Sequence, residues 1–437
     1  MKLERRELLP GVFLNTLQTE KFKTDCLSLS LLTSLDRETV SRAALLPRVL
    51  ARGSVNHPDL DAINAACDTL YGARILPVTR KKGEILAVGF YAGFLADRFT
   101  PEGERLLEPV SALLCELLLT PDLRAGALRQ DYVENEREKL IDDIRGRMND
   151  KRSYAAYRLI EQMFAFEAYG CDDMGSEEGA EAVDSAGLTA YYKTLLRESP
   201  IEIFYCGAAE GGRVAAALAP LCDALPRGTL NWELGTDVRL NTVEAQPRYF
   251  DETMEVGQGK LCLGFRLGDS MAEPDFPALR VFNALYGGTV TSKLFLNVRE
   301  KLSLCYYASS ALDWIKGALM VFSGIEEENR EIAQSEILAQ LEEIIRGQFS
   351  EEDLHAARKA VAGDLRTVCD SPGALENFFF TEGLLGLEDT PEELAAQCEA
   401  VDRARVMRIA GNAALDAVYF LHGDGEDADE EVLDAEA

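Results

Sequence analysis

At 437 residues with 47% apolar side chains, the chain is long enough for two or three domains, each with its own core. A formal net charge of −30 would repel phosphates and argues against a nucleic-acid partner. No run approaches the roughly 18 apolar residues of a membrane span. The opening MKLERRELLPG sets charges and a proline where a secretory signal needs an apolar core, so the expectation is a cytoplasmic protein with no membrane contact.

In chain order, CLSLSLL from Cys26 to Leu32 alternates as a strand, followed by a charged turn and an apolar helical stretch over Ala43 to Ser54. Hairpin-like strands come next. A long amphipathic helix is predicted over Tyr132 to Phe166, and IEIFYCG (Ile201 to Gly207) is a strand running into glycine. The pattern then repeats. Lys260 to Gly268 alternates, an acidic turn follows, and PALRVFNALYGGT (Pro277 to Thr289) is again apolar and helical. Gly53 and Gly288 stand where left-handed C-caps would end the two helices. A further helix is expected over Glu351 to Cys369, with Leu354, Val361, Leu365 and Val368 on one face and Ser371-Pro372-Gly373 as its stop. LENFFFTEGLL, after that stop, reads as helix core or a dimer contact, and Ala417 to Gly423 matches the earlier terminal strand.

A repeat this long marks a duplicated domain rather than a solenoid. The expected organisation is one domain over 1–225, a linker over 226–246, a second domain over 247–424, and a solvated acidic tail over 425–437. Strands and helices in both halves predict an α+β fold, two tandem domains each with a mostly antiparallel sheet packed with helices. The ten cysteines are scattered, form no C-x-x-C pair and sit mostly in apolar contexts such as SALLCELLL, so they read as free thiols rather than disulfides or a zinc site. Gly207 to Arg213 and the LYGGT turn lack a P-loop lysine, and there is no G-x-S-x-G elbow.

The string GGTVTSKLFLNVREKLSLCYYASS resembles the R-E-K-x-x-L-x-Y region of the pitrilysin/insulinase family of zinc peptidases, in its short, processing-peptidase-like bacterial branch. Thr289 or Ser292 is placed to cap the helix that would carry Leu294, Phe295 and Val298 inward. Arg299 and Tyr306 fall on the family's Arg/Tyr pair. In the first half, Asp68 to Glu84 resembles the strands after the family's metal helix in non-catalytic members. Val133 to Ala155 resembles the helix that carries its third metal ligand. The resemblance covers nearly the whole chain up to the acidic tail.

The family binds zinc through H-x-x-E-H, two histidine ligands around a glutamate general base. This chain reads Ala44-Leu45-Leu46-Pro47-Arg48 in its place. Alanine has no lone pair to give, and arginine is a permanent cation without an acceptor. Proline offers no base and breaks a helical hydrogen bond. On the later helix Asp143 falls at the ligand position and Glu136 one motif period before it. The resemblance therefore implies a member with no cofactor of its own, zinc being expected only in a partner. The implied function is that of a non-catalytic subunit of a heterodimeric zinc metallopeptidase. Arg299 and Tyr306 would hydrogen-bond peptide substrate in trans to a homologous zinc-bearing subunit. The alternative is a non-enzymatic scaffold or peptide-binding protein of the same fold. A third reading, an independent peptidase with a rebuilt site, would draw on His57, the histidine just past the lost motif, approaching Asp143 or Glu136. His355 and His422 read as structural. The sequence names neither the peptide nor the partner.

Overall fold

The computed structural model describes residues 2–239, 241–268 and 274–423; the acidic stretch over 425–437 lies outside them. In chain order the elements begin with β1 (Leu3–Leu9), β2 (Val12–Gln18), β3 (Thr24–Ser34), α1 (Val40–Leu50), α2 (Leu60–Thr69), β4 (Arg74–Lys82), β5 (Ile85–Leu95) and α3 (Leu107–Leu119). The two-residue strands β6 (Leu123–Arg124) and β7 (Ala127–Leu128) precede α4 (Gln130–Gly146), α5 (Lys151–Met163), α6 (Glu177–Glu181), α7 (Ser185–Glu198) and β8 (Ile201–Gly207). The short helices α8 (Gly211–Ala217) and α9 (Ala219–Ala224) close the first half of the sequence. Then come β9 (Arg248–Thr253), β10 (Gly259–Arg266), α10 (Phe276–Asn283), β11 (Cys305–Asp313), β12 (Ala318–Ile325), α11 (Arg330–Ile345), α12 (Glu351–Thr367), α13 (Pro372–Leu384), α14 (Pro391–Glu399), α15 (Arg403–Gly411) and β13 (Ala414–His422). The described residues of 226–246 contain no helix or strand.

Compactness divides the chain into two units that do not follow a single cut in sequence. One comprises Met1–Arg145, Cys171–Thr236 and Thr367–Pro391; the other comprises Gly146–Gly170, Asp237–Arg366 and Glu392–Ala437. Each unit is thus completed by a helix from the opposite half of the sequence, α13 in the first and α5 in the second.

The first unit is built on a six-stranded sheet in the order β1-β2-β8-β3-β5-β4. Only β2 and β8 run parallel; the other pairs are antiparallel. Alternation along β3 sorts its side chains by face. Leu27, Leu29 and Leu31 join Leu45 and Val49 of α1 and Val110 and Leu114 of α3 in the main core. Ser28 and Ser30 point the other way, where α13 lies. There Glu376, buried on α13, accepts hydrogen bonds from Ser28 Oγ (2.7 Å) and from both terminal nitrogens of Arg80 on β4 (2.7 and 2.8 Å). Phe379 stacks on Phe204 of β8 with ring centroids 6.3 Å apart.

The second unit has a five-stranded sheet, β11-β12-β10-β13-β9, in which only β13 and β9 are parallel. Ala155, Leu159 and Met163 of α5 pack on Cys262, Ala417 and Tyr419. A Cβ at Gly264 would sit 2.4 Å from Met163 Sδ, so the missing side chain is what admits the helix. Beside this contact lies a buried charge network. Glu167 meets Arg266 at 2.6 Å and Lys316 at 2.7 Å, and Arg266 also meets Asp416 at 2.8 Å, every one of these side chains at most 2% exposed. Arg266 and Lys316 further donate to the carbonyls of Arg239 and Asp237. The network fixes the first-half segment Gly146–Gly170 onto the second-half sheet.

Two expectations need correction, and a third gains a second role. The single helix predicted over Tyr132 to Phe166 is two, α4 and α5, separated by a short 3-10 turn at Arg147–Asn149. Asp150 starts the second by accepting from the amides of Arg152 and Ser153, a cap the amphipathic pattern conceals. Neither Gly53 nor Gly288 has a positive φ. Gly53 is required because a Cβ there would lie 2.5 Å from the Pro58 carbonyl oxygen, and Thr289, not Gly288, follows the π-helical turn Ala284–Gly288 as its cap. Ser371-Pro372 ends one helix but also begins the next, Ser371 Oγ accepting from the Ala374 amide with Pro372 in the first turn.

Candidate functional site

Two sets of residues concern function, one in each unit. In the first, α1 keeps an apolar stripe that seats it on the sheet, with Ala44, Leu45, Leu46 and Val49 all buried. Pro47 lies buried inside the helix. It has no N–H for the Ala43 carbonyl, so one rung of the helix is missing just before Arg48. Arg48 Nη1 lies 2.6 Å from Asp143 Oδ2 on α4. Just past the end of α1, Arg52 Nη1 lies 3.2 Å from Glu136 Oε1, which also accepts from Lys139 Nζ at 2.7 Å. The Arg52 guanidinium stands 5.3 Å from the Tyr132 ring centroid. The structure therefore brings Arg48, Glu136 and Asp143 together with Arg52, a residue the motif comparison did not single out. Its spacing of four from Arg48 is the signal that could have found it. Ala44 and Pro47 bring no polar atom to the cluster.

This arrangement does not fit a zinc ion. A guanidinium occupies hydrogen-bond distance of the carboxylate that would be a ligand, and it cannot deprotonate to make room. Among the described residues no group of three His, Cys, Asp or Glu side chains could hold a metal ion. The expected approach of His57 to Asp143 or Glu136 does not occur. Its Nδ1 is 3.0 Å from Glu116 of α3, and the same carboxylate accepts from Ser54 Oγ and the Asn56 amide. Burial pushes the Glu116 carboxyl up, but these donors outweigh it and hold it below its ordinary range. The reason is local: the Ser54 and His57 backbones bond each other (2.7 Å) in the tight turn that Gly53 permits, which aims the ring at α3. His355 is exposed on α12, and His422 Nδ1 is 2.7 Å from the Gly423 carbonyl oxygen.

In the second unit, the small-residue turn has a steric origin, since a Cβ at Gly287 would lie 2.8 Å from the Ser310 amide nitrogen. Ser292 Oγ accepts from the Phe295 amide at 3.3 Å, just ahead of Leu294–Lys301, a π-helix whose N-cap position is Lys293. Leu294 and Val298 are buried as expected. Phe295 is only half-buried and carries the Arg299 guanidinium 4.6 Å above its ring. Arg299 also pairs with Glu300 at 3.4 Å. After a left-handed turn at Ser303 (φ 52°) the chain enters β11. Cys305 pairs with Ile325 and Tyr307 with Gly324, so Tyr306 is the extra residue of a β-bulge. Bulges re-aim a side chain out of the ladder, and Tyr306 is 66% exposed while Tyr307 packs under Arg152 at 4.1 Å. The Tyr306 hydroxyl interacts with Glu326, which holds the phenol above its ordinary pKa.

Residues 182–361 match the family model described as the peptidase M16 inactive domain. Over 414 residues the chain is 32% identical to the probable inactive metalloprotease YmfF of Bacillus subtilis (strain 168), covering 94% of this chain and 96% of that protein. It belongs to the M16 peptidase family. Within that family it is a non-catalytic, peptidase-like member, in keeping with the replaced H-x-x-E-H motif. The chain is also 26% identical over 245 residues to an uncharacterized zinc protease, Rv2782c, of Mycobacterium tuberculosis (strain ATCC 25618 / H37Rv), 55% of each chain. A crystal structure of a conserved protein from Enterococcus faecalis V583 superposes with a TM-score of 0.88 at 27% identity, over 98% of this chain and 100% of that one. The M16 fold is shared as well with a peptidase M16 inactive domain from Pseudomonas fluorescens, TM-score 0.79 at 16% identity, over 97% and 98% of the two chains. No helix among the described residues is long and apolar enough to cross a membrane.

Proposed function

We propose that this M16 member is the non-catalytic subunit of a cytoplasmic, heterodimeric metallopeptidase. A homologous partner carries the zinc, and this chain binds the peptide substrate with Arg299 and Tyr306. The observation that carries the reading is the bulge at Tyr306. A tyrosine kept in the sheet ladder would alternate face like its neighbours, whereas here one inserted residue exposes the phenol. Arg299, on the π-helix that leads into the same strand, keeps a 39% exposed side chain. A phenol and a guanidinium are both hydrogen-bond donors suited to a peptide carbonyl and to the oxyanion that develops from it. No zinc or general base is assigned to this chain, so hydrolysis requires the partner's ion. In this reading the first unit contributes a non-catalytic surface.

Co-expression with a zinc-bearing M16 homologue tests the proposal. Arg299→Ala and Tyr306→Phe should each lower peptide cleavage by the pair about tenfold or more while the two chains still co-purify, in the range of lost oxyanion donors. Unchanged turnover in both variants would remove the in-trans role. A second reading, a peptide-binding scaffold without catalysis, is favoured by the acids that already engage both side chains, Glu300 on Arg299 and Glu326 on Tyr306. Saturable peptide binding with no cleavage beside any zinc-bearing partner would establish it.

A further inference from the structure

We infer that Arg48 and Arg52 act as resident cations of the first unit, cross-linking α1 and α4 where the family would place an ion, so that this face is closed to divalent metals. The sequence spacing builds two rungs. Arg48 lies in the last turn of α1 and Arg52 four residues on, in the turn that follows the helix. Glu136 and Asp143 are seven residues apart, two turns of α4, and also share a face. The two carboxylates are thus about 10 Å apart along α4, at 1.5 Å per residue, a span that two long arginine stems cover. Arg48 meets Asp143 at 2.6 Å, and Arg52 meets Glu136 at 3.2 Å with Tyr132 beneath its guanidinium.

Electrostatics explains why the cations are needed. Glu136 is buried, its side chain 9% exposed. A carboxylate that loses contact with water requires a positive partner or a proton. Replacing a metal-binding helix by an apolar one would strand it. Arginine supplies a charge that no pH in the physiological range removes, and it does so without a free ion. The consequence is a surface whose integrity is indifferent to chelators, unlike a true metal site, where ligand and ion must both be present.

The test is a thermal double-mutant cycle on the full chain, using R48Q, D143N and R48Q/D143N, each melted with EDTA, with no addition and with millimolar zinc. For a partly exposed pair in a domain of this size the expected loss is about 1–3 °C for each single variant. The double variant should lose no more than the worse single one, because the second change removes nothing further. R48K, which keeps the charge, should recover more than half of the loss, a result that mere packing of a long stem would not separate from R48Q. The parent should be unmoved by EDTA or zinc. Additive single losses would overturn the inference. So would a parent whose Tm rises with zinc, since that ion would then be displacing the arginine.

Discussion

The buried network around Glu167 offers the sharpest test of how the second unit is held together. Glu167→Gln keeps the size of the side chain and removes its charge. Arg266 would retain Asp416 at 2.8 Å and Lys316 would retain the Asp237 carbonyl, but each would lose a carboxylate at 2.6 or 2.7 Å. Removing one partner of a buried pair costs about 3–5 kcal/mol, because the remaining charge stays out of water. At about 2–4 °C per kcal/mol for a domain of this size, the melting of the second unit should fall by on the order of 10 °C. The effect should also depend on pH. Burial raises the Glu167 carboxyl, but hydrogen bonds and charge from Arg266 and Lys316 outweigh it and leave it below its ordinary value. A depressed folded pKa contributes stability that is fully present above the unfolded value of about 4.3 and is lost as pH falls through the folded one. The gap between thermal melts of parent and Glu167→Gln should therefore narrow as pH falls from 7 toward 3. A loss under about 1 kcal/mol at pH 7, or a gap that stays constant with pH, would refute the reasoning.

Other outcomes follow from the same packing. Glu376→Gln should weaken the hold of α13 on the first unit through Arg80 and Ser28, and hydrogen exchange within Pro372–Leu384 should accelerate more than in α1. Gly53→Ala and Gly53→Asn should both destabilise, by about 1–3 kcal/mol in urea melts, because either Cβ meets the Pro58 carbonyl; a tolerated Gly53→Asn would indicate a left-handed cap instead. Tyr306→Phe, at a mostly exposed position, should leave the urea midpoint within about 0.5 kcal/mol of the parent, so that any loss of cleavage in the complex reports on substrate and not on folding.

Much of this fold is visible in the sequence because its strands obey a simple period. Cys26 to Leu32 and Ile201 to Gly207 alternate or run apolar over their whole length, and the structure places them in β3 and β8. The duplication is equally plain, since β10 and β13 repeat those two patterns. What periodicity cannot show is where a helix goes after it forms. α5 and α13 look like parts of their own halves, yet each completes the other unit. At each destination a single polar residue, Glu167 just after α5 and Glu376 on α13, meets partners that lie far away in sequence at Arg266, Lys316 and Arg80. Isolated charges in a chain with 75 acidic residues carry no visible mark of being buried.

The candidate site was legible to a similar degree. That Ala44 and Arg48 offer no metal-binding lone pair and Pro47 no base, at the positions where the resemblance implies ligands and base, can be read from residue chemistry alone. That Arg48 meets Asp143 and Arg52 meets Glu136 depends on where the fold sets α4 beside the end of α1. The bulge at Tyr306 arises from one unpaired residue between Cys305 and Tyr307, which no alternation pattern signals. Likewise, His57 was drawn as a reserve ligand by its position in sequence, and the turn at Gly53 directs it to Glu116 instead.

The proposed function requires a chain without a catalytic metal, acting beside a zinc-bearing subunit. Metal content by mass spectrometry, measured together with peptide cleavage on the purified chain alone and on its complex with a zinc-bearing M16 homologue, tests it most directly. No stoichiometric zinc and no cleavage are expected for the chain alone, with one zinc per heterodimer and turnover in the complex. One zinc bound per isolated chain, with cleavage that chelation abolishes, would contradict it.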